Sequence, residues 1–101
     1  MTDEEIIMKV GDLFSHMEAN ERLRKLATDN GLDVKNTIQL TEEAKENLAV
    51  TIVSLLLAKR ENDVRYTTLT KVGLQKRSIK TAIVNSYKDQ AMELINRYKS
   101  A

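Results

Sequence analysis

Apolar residues recur along most of this chain at the three- and four-residue spacing of a helix; strand-like alternation is confined to one short stretch. Ile6, Val10, Leu13 and Met17 form the first stripe, and Ile7 and Phe14 widen it. Thr2 stands where it caps this helix, and Glu5, three residues on, is placed to reach back in a capping box. Met1 and Ile6 occupy the two staple positions around the cap, and Asp3, Glu4 and Glu5 suit the positive end of the helix dipole. Beyond Met17 the stripe slips phase: the next apolar edge is Leu23, Leu26 and Ala27. The slip predicts a helix end near Asn20, with Asn20 capping a second, shorter helix that stops at Asn30-Gly31. The alternative is one long helix bent near Asn20.

The stretch Leu32 to Leu40 is the least helical, with Leu32, Val34, Ile38 and Leu40 set among polar residues. It predicts an irregular connector at 31–40 whose apolar side chains pack under the bundle; a tiny hairpin around Lys35-Asn36 is the alternative. Thr41 then caps the next helix, with Glu42 and Glu43 in its first turn. Leu48, Ala49, Val50, Ile52, Val53, Leu55, Leu56, Leu57 and Ala58 make that helix apolar almost all round. A helix of this kind is normally covered on every side, so residues 42–60 are expected at the centre of the domain. Any face the other helices leave uncovered is a candidate dimer interface.

Glu61-Asn62-Asp63 reads as a loop, with Asp63 capping a helix that begins at Val64 and carries Leu69, Val72 and Leu74 on its apolar edge. Gly73 marks a kink or stop. The last helix runs from about Lys76 to Tyr98 on a stripe of Ile79, Ile83, Tyr87, Ala91, Leu94 and Tyr98, with Ala82, Met92 and Ile95 beside it. A single helix over 64–98 is the alternative, at the cost of placing Lys76 in the stripe. The expected fold is all-α: a single domain over 1–101, a compact bundle of four to five helices around the central apolar one.

Composition agrees with this reading. The 101 residues include no proline and three glycines, too few breakers for a β-fold of this size. The absence of cysteine removes disulfides, thiolate nucleophiles and Cys-based zinc sites. The longest uncharged apolar run, Asn47 to Ala58, would span roughly 18 Å as a helix against a hydrocarbon core of about 30 Å. No membrane span is expected, and a cytoplasmic protein is the default expectation.

Charge changes the picture more. The net charge is +1, yet residues 1–50 carry six Lys/Arg against eleven Asp/Glu, and residues 51–101 carry ten against four. Between Asp63 and Asp89 there is no acid, but there are Arg65, Lys71, Lys76, Arg77, Lys80 and Lys88. Either the acidic half packs on the basic half, within one chain or head-to-tail between two, or the basic stretch meets an anionic partner, a nucleic acid or, through the last helix, a membrane surface.

Within that stretch, Leu69 to Ala82 resembles part of a helix-turn-helix. Val72-Gly73-Leu74 supplies the turn, and Ile79 and Ala82 fall at the later apolar slots. The resemblance implies that Gln75, Lys76, Arg77, Lys80 and Thr81 face a major groove; with Lys71 of the same basic stretch they make up the candidate nucleic-acid-binding set. Leu69 departs from the pattern, because its slot normally holds a small residue, and the following helix is longer than a typical recognition helix. The competing reading is an amphipathic helix with a basic outer face.

Candidate chemistry is sparse. His16 is the single histidine; Asp12 shares its helix face, but two ligands do not make a metal site. Ser15 adjoins His16, yet neighbours in a helix do not face each other. Gly11, Gly31 and Gly73 stand apart and form no phosphate loop. Each tyrosine has a base beside it in sequence, but Tyr87 and Tyr98 fall on the apolar stripe, where buried rings with exposed hydroxyls are expected. The expected function is therefore non-enzymatic, with no cofactor, metal or small-molecule substrate: an interaction or regulatory module whose partner is a protein or a second copy, as a homodimer. Nucleic-acid binding through 65–88 is the alternative.

Overall fold

A computed structural model describes residues 1–31, 40–73 and 77–100. They form four α-helices: α1 (Asp3–Asp29), α2 (Glu42–Arg60), α3 (Val64–Val72) and α4 (Arg77–Ser100). There is no strand among the described residues. The connector expected at 31–40 lies outside them apart from Gly31 and Leu40.

The caps read from the sequence are in place. Thr2 accepts from the Glu5 amide at 3.2 Å, Thr41 from the Ala44 amide at 3.0 Å, and Asp63 from the Arg65 amide at 2.9 Å. Gly31 and Gly73 have φ of 75° and 101°. A side chain there meets backbone strain, which is why glycine follows both helix ends. Residues 64–98 are accordingly two helices, with Gly73 as the stop.

The break expected at Asn20 does not occur. α1 continues unbroken to Asp29. Asn20 is a tolerable helix residue, and no glycine or proline stands near it to end the backbone hydrogen bonding. The phase slip is real but is expressed differently. Ile6, Val10 and Met17 are buried, whereas Leu23 and Leu26 are 64% and 60% exposed. Six and nine residues beyond Met17, they point away from the bundle.

α2 packs against all three other helices. Asp3 of α1 pairs with Arg60, and Glu21 with Lys45, so α1 and α2 run antiparallel. Glu46 pairs with Lys99 while Ala58 packs with Ile83, so α2 and α4 are antiparallel too. One cluster joins Ile6 and Val10 to Ala49, Val53 and Leu57 and to Ala91, Leu94 and Ile95; a second joins Ala58, Leu69 and Ile83, and Tyr87 borders both. Tyr98 lies over Gly11, where a Cβ would meet its ring at 3.2 Å, and stacks on Phe14 with centroids 5.8 Å apart.

The covering of α2 is less complete than its all-round apolar sequence suggests. Leu48 stays 39% exposed, and Ile52, Leu55 and Leu56 are half-buried. The extents of 48 × 35 × 20 Å explain this. A thickness of 20 Å is about two helix diameters, so a central helix in such a slab keeps one flank near solvent.

Candidate functional site

The described residues contain no group of three or more His, Cys, Asp or Glu side chains placed to hold a metal. His16 is exposed, and its Nδ1 lies 2.7 Å from the Asp12 carbonyl oxygen, so it contacts the backbone rather than the Asp12 carboxylate. A shallow groove along α4, lined by Asp89, Met92, Glu93, Asn96, Arg97 and Ser100, lies open on the surface.

The acidic and basic halves do meet, at particular places. Arg60 Nη1 donates to Asp3 Oδ1 at 2.6 Å; Arg97 lies 3.5 Å from Asp3 and 4.0 Å from Glu4; Lys99 pairs with Glu46. The hydrogen bond from Arg60 holds the Asp3 carboxyl below its ordinary range. Lys45, buried in α2, donates to Glu21 of α1 and to Glu42, and the bond to Glu21 is the main reason its pKa is raised.

Arg65 is also spent internally. Its Nη2 lies 2.7 Å from Asp63 Oδ2, and its Nη1 reaches Ser86 Oγ at 2.9 Å and the Ala82 carbonyl at 3.3 Å. The Tyr87 hydroxyl donates to Asp63 Oδ2 at 2.9 Å. It is thus tied to a carboxylate rather than left to solvent, as the stripe position suggested. This clasp holds the start of α3 against α4. Hydrogen bonds from the Arg65 side chain, then its amide, hold Asp63 far below the usual carboxylate range; burial, then the Asp63 carboxylate, push Tyr87 up.

What remains of the basic stretch divides in two. Arg77 and Thr81 are exposed and Lys80 half-buried, all within the first two turns of α4. Arg77, Lys80, Thr81 and Lys88 follow at helical spacing on a face distinct from the one carrying buried Ile83 and Leu94. Lys71 stands apart, on α3, two residues beyond buried Leu69 and hence on the helix's outer side. Gln75 and Lys76 lie outside the described residues. Among the described residues, none of Lys71, Arg77, Lys80 and Lys88 is ion-paired. Ile79 and Ala82 are half-buried, and Ile79 packs on the Ala58, Leu69 and Ile83 cluster.

The largest departure from sequence expectation is the apolar edge on α1. Ala19, Leu23 and Leu26 follow at spacings of four and three, on the side opposite the core stripe, with both leucines mostly exposed. The signal was present as the phase slip at Asn20, but a helix break absorbed it equally well. Comparison of the chain with family models, curated proteins and solved structures gives no match.

Proposed function

We propose that the chain is a non-enzymatic helical interaction module that associates with a second copy of itself. The observation that carries this reading is the exposure of Leu23 and Leu26, 64% and 60%, on one face of α1. Scattered surface leucines are ordinary, but these two are adjacent on a helix whose opposite face is already engaged with α2. Covering a leucine side chain is worth about 1.5–3 kcal/mol, so the edge favours a partner that buries it. The leftover flank of α2, headed by Leu48, is a lesser apolar surface. Light scattering over a concentration series tests the reading. The wild type should move from monomer to dimer, and a Leu23→Glu/Leu26→Glu variant should stay monomeric with unchanged helicity. A strictly monomeric wild type, or a variant that dimerises as well as the wild type, excludes it.

A second reading, nucleic-acid binding, rests on a different observation. α4 begins with Arg77 and Lys80 and has no acid in its first turn. Bases at the positive end of a helix dipole are unfavourable by a few tenths of a kcal/mol each, roughly, and an anionic partner would offset that cost. Phosphate contacts of this kind make affinity fall steeply with salt. An Arg77→Ala/Lys80→Ala variant should bind duplex or single-stranded nucleic acid more weakly and with a shallower salt slope. Unaltered binding in the variant, or none by the wild type at low salt, counts against it.

A further inference from the structure

We infer that the second copy docks antiparallel along the back half of α1, with Leu23 facing the partner's Leu26 and Arg22 paired with the partner's Asp29. This inference rests on the self-association reading and adds its geometry. Ala19, Leu23 and Leu26 repeat with the four-three spacing of a two-helix seam. Laying a second α1 against this edge in the opposite direction, with each Leu23 opposite a Leu26, fixes the register. In that register the flanking positions that meet are Arg22 and Asp29, within about two residues, or 3 Å, along the axis. The two-fold symmetry of such a pair makes the contact twice. A parallel pair sets Arg22 against the neutral flank of Asn20 and Ala27 and gains no such contact.

Asp29 adds an independent reason. It occupies the last turn of α1, at the negative end of the helix dipole, and no base shares that turn. A carboxylate there is disfavoured within the monomer, and a guanidinium from a second copy reverses the sign of its surroundings. Arg22 and Asp29 are both exposed, and among the described residues neither forms an ion pair. Asn30 closes the seam: its Nδ2 donates to the Leu26 carbonyl at 2.7 Å and ends the helix. A seam of two to three turns buries less than the roughly 1,200 Å² of a standard stable interface, so the dimer is weak and concentration-dependent.

Charge reversal tests the register. Arg22→Asp and Asp29→Arg should each weaken dimerisation about tenfold in sedimentation equilibrium, because each sets like charges opposite one another twice. The double variant, Arg22→Asp/Asp29→Arg, should return to within about threefold of the wild type. Failure of the double variant to recover, or single variants that dimerise like the wild type, overturns the antiparallel register. If the Leu23→Glu/Leu26→Glu variant is monomeric at the same time, the self-association reading survives that failure. A wild type that never dimerises overturns both.

Discussion

The Ser54 hydroxyl sits fully buried in α2 with no hydrogen-bond partner among the described residues. A buried polar group left unsatisfied costs about 1–3 kcal/mol, and its neighbours Val53 and Leu57 belong to the apolar core. Ser54→Ala is therefore expected to stabilise the chain by about 1 kcal/mol. The denaturant midpoint should rise with an unchanged slope; a fall would mean that the hydroxyl has a partner. Lys45 is the opposite case: also buried in α2, it is matched by two carboxylates, one of them from α1. The apolar run 48–58 marked this helix as central, but periodicity says nothing about which polar side chain of the helix finds a partner.

At the scale of elements, α1 offers a sharp test, because Asn20 changes role with the fold. As the cap of a separate helix, it would cost about 1 kcal/mol to replace by alanine. As an exposed interior residue of one helix, Asn20→Ala should stabilise by about 0.5 kcal/mol and leave far-UV helicity equal or higher. The clasp between α3 and α4 gives a second test. Asp63 has a lower pKa folded than its ordinary 3.8, so the unfolded chain binds its proton first. Its contribution is complete well above pH 3.8 and drains away as pH falls below it. An Asp63→Asn variant should be less stable near neutrality and show a shallower loss through the acid range, read as unfolding midpoint against pH. Asp3, lowered by Arg60, supplies part of the slope that remains.

These elements also show what the sequence made legible. Thr2, Thr41 and Asp63 are local signals, and each caps the helix that its position indicated. The two-helix end of the chain followed from Gly73, since only its backbone is at ease with a positive φ. The length of α1 did not follow, because a slipped stripe has two physical solutions: a break, or a straight helix with one edge outside. The straight helix also brings Glu21 to Lys45 of α2, a long-range pairing that spacing along the chain does not reveal. Arg65 was illegible for the same reason. Its partners Ala82 and Ser86 lie on another helix, and the acid-free stretch grouped it with bases that have no such role.

The whole molecule is extended for its length. Its radius of gyration is 15.7 Å, against about 13 Å for a compact chain of this size. The cross-half ion pairs sit at partly exposed positions, where each contributes about 0–1 kcal/mol, so the slab is held chiefly by its two apolar clusters. Past Met17, α1 has no buried residue. That back half is expected to open on its own, far below the cost of global unfolding. It also carries Arg22, Arg24 and Lys25, which makes it the place among the described residues where trypsin should cut the folded chain first, detected as an early pair of fragments divided near residues 22–25. If two copies pair along Leu23 and Leu26, cleavage there should slow as protein concentration rises, and susceptibility to a protease becomes a readout of assembly.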